Sequence, residues 1–389
     1  MLALLCGPPR PPTRASMPTA RPARGANLGW MSGMTGSEAV IFTVVVGARL
    51  LVPLLIFRYP LPAILACLVI DGVDQTIFQT FTDLPLDNYQ SYDKALDIYY
   101  QSLAYVSVLR NWTNLDAIGI GRFLLYYRMI GVLIFELSDG NRFLLLVFAN
   151  TFEYYFIFYE AVRCLWDPAT RSRRFWLWSA GLIWVFIKLP QEYWIHVAQI
   201  DTTDLIRDKP WVGVLMAVGV VALLAVFWFV VRPRLDPIDH PFRLRADTPP
   251  AELDSPEALA ADRASGSIFD RALLEKFILV TIISWIFALI LPGVHVSGVA
   301  LAGAIAAVVV INTGVGQFAA RRGWGLPSVV VEFIALAALN AALVLVAELL
   351  LGRDLRGAPA LFFVLLVTLI VVAYDRCRPV YELRVRTAA

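Results

Sequence analysis

Charge is scarce in this chain. Asp, Glu, Lys and Arg make up 16% of its 389 residues, against 59% hydrophobic. That balance excludes an ordinary soluble domain and fits a chain solvated by lipid, where each helix satisfies its own backbone hydrogen bonds. Histidine is scarcer still: His196, His240 and His295 are the full set, which excludes a His-rich metal cluster. The four cysteines, Cys6, Cys67, Cys164 and Cys377, have no metal-ligand spacing and read as structural thiols. With a net charge of +2 and no basic stripe interleaved with aromatics, a nucleic-acid partner is excluded. A signal-peptide core is also missing, because Met1-Leu2-Ala3-Leu4-Leu5 is too short and follows no basic residue.

What the chain does have is a series of apolar runs, each near the ~20 residues that cross a bilayer. They are Glu38–Phe57, Leu61–Phe81, Ile118–Leu137, Phe143–Arg163, Phe175–His196, Trp211–Val231, Phe277–Leu291, Val296–Phe318, Val329–Leu351 and Leu361–Tyr374. The expected fold is therefore an all-α, polytopic integral membrane protein with about ten transmembrane helices. Ala95–Leu109 is ambiguous. It is apolar, but Asp93, Asp97 and Gln101 run along one side at spacing four, so it is either an eleventh span or a helix lying in the interface.

Composition divides the chain further. Residues 1–36 form an Arg- and Pro-rich arm expected to be disordered, in which Met17, Met31 or Met34 are alternative starts. A polar-lined bundle at 37–231 is followed by a hydrophilic linker at 232–271, with a short helix expected at Pro256–Ala264. Apolar helices occupy 272–375 and a tail occupies 376–389. Arginines cluster after four of the runs, for example Arg171, Arg173 and Arg174, and again Arg376, Arg378, Arg384 and Arg386. The positive-inside rule makes those regions cytoplasmic in a cell membrane, the C-terminus among them. With Ala95–Leu109 interfacial, both ends are inside; with it spanning, the N-terminal arm is outside.

The two halves differ in chemistry. Later spans carry few ionisable groups, and Gly298, Ala302 and Ala306 at spacing four point to close helix packing. Earlier spans carry many, and ionisable groups within a bilayer are costly enough to mark function by default. Asp71 and Asp74 share one helix face. Asn150, Glu153 and Glu160 form a second stripe. Lys188, Glu192, His196 and Gln199 form a third, interrupted by Pro190, which must kink or restart its helix. If these faces converge with Arg122 and Arg128, they line one polar site. Asp71, Asp74, Glu153, Glu192 and His196 would then carry protons or a coupling ion, and Lys188, Arg122 and Arg128 would hold an anionic substrate.

Each signal has a plainer reading. The ionisable set also reads as interhelical salt bridges, and His196 as a hydrogen-bonded structural residue. Glu136 and Glu160 fit a headgroup position, where charge is cheap, and Arg49 and Arg163 fit snorkelling to an interface. Asp83, Asp87, Asp93 and Asp97 fit a solvated acidic face.

Asp71-x-x-Asp74 followed by Asp83-x-x-x-Asp87 resembles, over that segment alone, the aspartate motif of CDP-alcohol phosphotransferases. Gln75 stands where that motif has glycine, its Ala-Arg pair is missing and the gap is short, so no family assignment follows. The resemblance implies metal-assisted lipid chemistry as a second reading, with Asp71 and Asp74 holding a divalent cation such as Mg²⁺. The first reading is a proton- or ion-coupled transporter of a small or anionic substrate. A third is a structural or assembly protein. Membrane lipids are the expected surroundings in all three.

Overall fold

The computed structural model describes residues 35–82, 89–138, 141–198, 200, 202–253, 255–290, 297–323, 328–351 and 358–388. The N-terminal arm through residue 34, Cys6, Asp83, Asp87, Gln199 and His295 lie outside them. Among the described residues every regular element is helical. Eight helices among the described residues are long and apolar enough to cross a membrane.

Helix α1 (Gly36–Leu51) begins at a capping box: the Glu38 amide donates to the Thr35 hydroxyl, and the Glu38 carboxylate accepts from the Thr35 amide at 2.8 Å. A tighter turn, Val52–Phe57, prolongs it before α2 (Pro60–Phe81), which has proline in its first turn. Helix α3 (Tyr89–Asn111) comes next. It packs against α1, α2 and the following α4 (Leu115–Leu137), and Ala95–Leu109 is buried on every side. The interfacial reading of that segment is thereby corrected, because a helix in the membrane plane would keep one face outside the protein.

The expected span Phe143–Arg163 is broken. Short α5 (Phe143–Val147) ends at Phe148, and α6 (Thr151–Arg163) starts after Asn150. The expected span Phe175–His196 is one rod of changing pitch. Helix α7 (Arg173–Leu182) widens into a π-turn at Ile183–Lys188, narrows over α8 (Leu189–Glu192), and widens again at Tyr193–Val197. Pro190 falls in the first turn of α8, as the restart reading has it. Its missing amide falls between two π-turns, where the Leu189 amide reaches back to the Trp184 carbonyl and Ala198 to Tyr193. After α9 (Thr202–Asp208), α10 (Pro210–Val226) has no buried residue along its most apolar stretch. Val214, Val218, Val221 and Leu224 all face outward there. Such a face does not suit water.

The linker is not a free spacer. The amides of Asp239, Arg243 and Ala246 bond the carbonyls of Leu165, Cys164 and Arg58, and Arg163 donates to the Arg245 carbonyl. These are carbonyls that helix ends leave open, so an extended strap satisfies them. The helix expected at Pro256–Ala264 is α11 (Pro256–Ser265), capped by Ser255.

Four long helices complete the chain: α12 (Arg271–Ile290), α13 (Gly298–Arg321), α14 (Val329–Leu351) and α15 (Ala358–Ala388). Gly298 meets the Trp285 ring so closely that a Cβ there would collide with it, whereas Gly303 faces open space. The tail expected from 376 onward is instead the last part of α15, whose length packs along α3. Nor is this half free of charge chemistry. Glu275, Lys276 and Glu332 pair with Asp375, Arg376 and Arg378 across α12, α14 and α15.

Candidate functional site

Arg49 stands at the centre. It is 5% exposed, so the snorkelling reading is corrected. The Val52–Phe57 turn lengthens its rod and carries the guanidinium away from the end. Four aspartates surround it. Arg49 donates to Asp71 at 2.5 Å, to Asp93 at 2.8 Å, to Asp97 at 3.1 Å, and to Asp74. Asp71 lies about 16 Å along α2 from Pro60 at ~1.5 Å per residue, near the middle of that helix. On α3, Lys94 pairs with Asp93 at 3.0 Å and approaches Asp97 at 3.8 Å.

A second group adjoins the first. At the break between α5 and α6, backbone groups that a continuous helix would use internally are free. The Phe148 carbonyl accepts from Arg128 at 2.9 Å, and the Asn150 amide donates to Glu192 at 3.1 Å. The Asn150 side chain donates to Glu153 at 2.7 Å. His196 reaches Glu192 at 3.0 Å. Lys188 donates to Gln191 at 3.0 Å and lies 4.1 Å from the Tyr154 ring centroid. Lys188, Glu192 and His196 are all buried, so the pitch changes around Pro190 keep them on one inward face. Helix α3, which carries Asp93, Lys94 and Asp97, packs against both α2 and α6, so the two groups are neighbours.

Of the residues singled out by sequence, Asp71 and Asp74 meet at Arg49, while Glu153, Glu192, His196 and Arg128 gather at the helix break with Lys188 beside them. Two lie elsewhere. Glu160 accepts from the Trp112 indole at 2.9 Å and from Arg163 at 2.6 Å, beside the linker. The headgroup reading of Glu160 and the snorkelling reading of Arg163 are both corrected, since each is buried against the other. Glu136 is buried as well. Arg122 belongs to a different cluster: it donates to the Tyr105 hydroxyl at 2.7 Å and pairs with Glu275 at 3.1 Å, which Arg378 and Tyr374 also contact.

Sequence reasoning missed Asp93, Lys94 and Asp97 as site residues. Their spacing-four stripe with Gln101 was the available signal, and the solvated-face reading is corrected by the burial of Asp97 and Gln101. Asp71, Asp93 and Asp97 also present oxygens within 4.8 Å of one another, a spacing a hard cation can use. Asp74 is not in that trio. Arg49 already donates to all three members, so a metal bound there competes with its guanidinium.

Arg128 reaches the helix break because α4 comes close to it at Gly131. A Cβ built on Gly131 would lie 2.1 Å from the Phe148 Cβ. Gly131→Ala is therefore expected to push α5 away, lengthen the Arg128–Phe148 bond and destabilise the fold by about 1–3 kcal/mol. Thermal unfolding in detergent checks this; a variant as stable as wild type would show that the contact is loose.

No protein-family model, curated protein or solved structure matches this chain.

Proposed function

We propose that the protein is a multi-pass membrane carrier that couples passage of a small substrate to protons or to a cation. The charge balance of the buried unit carries this reading. Among the described residues, Asp71, Asp74, Asp93, Asp97, Glu153 and Glu192 outnumber the neighbouring Arg49, Lys94, Arg128 and Lys188 by two. Uncompensated charge is costly away from water, so such a unit draws protons or cations to itself. Releasing them on the other side is the elementary step of coupled transport. His196, hydrogen-bonded to Glu192, is placed to relay a proton. Broken helices with free backbone groups at membrane depth are the usual construction of carrier sites, and the Phe148–Asn150 break supplies one.

Counting α3 as an internal crossing, the chain makes about eleven passes by the span-length rule. The linker, α11 and the end of α15 then lie in the cytoplasm, and Gly36 lies outside. Lipid covers the outward apolar faces, that of α10 among them.

The test is flux into liposomes. Protein reconstituted with an internal pH dye, under an imposed membrane potential, is expected to conduct protons or Na⁺. Asp97→Asn, Asp71→Asn and Glu192→Gln should each lower that flux by an order of magnitude or more. Undiminished flux in all three correctly folded variants would remove this unit from the mechanism. A second reading, a metal-dependent enzyme acting on a lipid phosphate, is supported by the Asp71, Asp93 and Asp97 trio. It predicts a stoichiometric divalent metal in the purified protein that Asp93→Asn abolishes.

A further inference from the structure

A groove of about 500 Å³ runs between α4 and α7, and none of its lining residues belongs to the carboxylate unit. That volume is in the range of sites that hold a ligand. Its walls are mainly apolar, with Ile120 and Phe123 on α4 and Leu177 and Trp184 on the other rod. Phe123 and Leu177 are exposed, so the groove opens outward, where acyl chains run in a membrane. Two glycines deepen it. A Cβ built on Gly119 or on Gly181 would meet no atom within 4 Å. Glycine inside a helix is destabilising relative to alanine, and no close approach of a neighbour requires it here. What the pair provides is open space within the groove.

The groove is bounded in depth. At its inner end Trp184 meets the Tyr127 ring edge-on with centroids 6.0 Å apart, and Tyr127 stacks on Phe123 at 5.8 Å. At its outer end both helices begin, and there the groove is lined by Asp116 and Arg173. From Arg173 to Trp184 the rod rises ~16 Å at ~1.5 Å per residue. Half of a ~30 Å hydrocarbon core is ~15 Å, so the groove is one leaflet deep.

The two charges at its mouth are only loosely joined. Asp116 and Arg173 approach to 3.9 Å, too far for a hydrogen bond, and their side chains are 50% and 72% exposed. A surface pair of this kind contributes little by itself. Each member keeps its hydrogen-bonding capacity for a third party. One anion and one cation above an apolar slot complement a head that carries both charges above an apolar chain.

We infer that this groove binds one acyl chain of a phospholipid with an ethanolamine head. The chain lies along Gly119 and Gly181 and ends near Trp184. The lipid phosphate accepts from the Arg173 guanidinium, and the lipid ammonium donates to the Asp116 carboxylate. A choline head has no N–H to offer that carboxylate, and a net-negative head sets an uncompensated charge beside it. The site rests on the chain spanning a bilayer, as proposed above, and uses none of the residues assigned to coupling.

The experiment places the full chain in nanodiscs of equal parts phosphatidylethanolamine, phosphatidylcholine and phosphatidylglycerol with identical acyl chains. Native mass spectrometry then reads which lipid stays bound on release. One phosphatidylethanolamine per chain is expected, favoured about fivefold over either competitor, the upper end for an exposed ion pair. Asp116→Asn should remove the preference over phosphatidylcholine. Gly181→Leu should abolish the bound lipid by filling the groove, with both charges still in place. Equal retention of the three heads, preference for phosphatidylglycerol, or a bound lipid undiminished in Gly181→Leu would overturn the assignment. A chain that inserts and retains no lipid overturns it alone, because flux tests the carrier reading separately. A chain that does not insert overturns both.

Discussion

Replacing Arg49 with methionine is expected to destabilise the protein by about 3–5 kcal/mol, the usual consequence of removing one partner from a buried ionic set. Among the described residues, the guanidinium is the cation that touches all four aspartates. Without it, Asp71 and Asp74 lose their bond to the guanidinium, and Asp93 and Asp97 retain Lys94 among the described residues. Methionine fills much of the same volume, so packing loss is a small part of the effect. Arg49→Lys should recover only part of the stability, because a point charge with three donors cannot reproduce a planar fork directed at four carboxylates. Removing charge from the other side is the sharper check. Asp71→Asn combined with Arg49→Met should be less damaging than the sum of the two single changes, since the residues are in contact and their effects do not add. Thermal or denaturant unfolding of the purified protein measures this. Additive losses would mean that Arg49 holds the helices by packing and that its charge is incidental.

The parts of this site that sequence could reveal were those in conspicuous surroundings. Asp71 and Asp74 interrupt an apolar run, and Lys188, Glu192 and His196 repeat at the helical period beside a proline. Arg49 was legible as a charge but not as a centre. It lies inside the run Glu38–Phe57, and the four aspartates around it come from two other helices, which sequence alone does not bring together. Asp93 and Asp97 were hidden for another reason. A helix as mixed in composition as α3 fits the membrane interface or the protein interior equally well. What decides is the presence of neighbours on every side, and neighbours are tertiary facts. The same holds for Glu275, Lys276 and Asp375. Each sits at the edge of a hydropathy window, where a charge costs little, until its partner on another helix is known. The break at Phe148–Asn150 carries neither proline nor glycine. It becomes intelligible only once Arg128 and Glu192 are seen to take up the freed backbone groups.

Trp112→Ala is expected to cost about 3–5 kcal/mol, the range for deleting a large buried aromatic side chain. Trp112 is fully buried where α3 ends. Its ring stacks on Tyr159 with centroids 3.7 Å apart, meets Tyr155 edge-on at 5.8 Å, and leads through Tyr159 to Trp176 at 4.9 Å. The indole N–H bonds Glu160, and the Trp112 carbonyl accepts from Arg384 near the end of α15. One residue thus joins α3, α6, α7 and α15. Trp112→Phe separates the two contributions. It keeps most of the stacking area but leaves a buried carboxylate oxygen of Glu160 without its indole donor, which should cost about 1–3 kcal/mol. Because Trp112 closes the far end of the helix that carries Asp93 and Asp97, its loss should also free that helix to shift against α1 and α2. Hydrogen exchange is expected to rise along α3 in Trp112→Ala, from the linker end towards Asp97, and to stay near wild type in Trp112→Phe. Exchange confined to the last turn of α3 in both variants would show that the aspartate unit is held by Arg49 and its neighbours alone, with no support from the aromatic cluster.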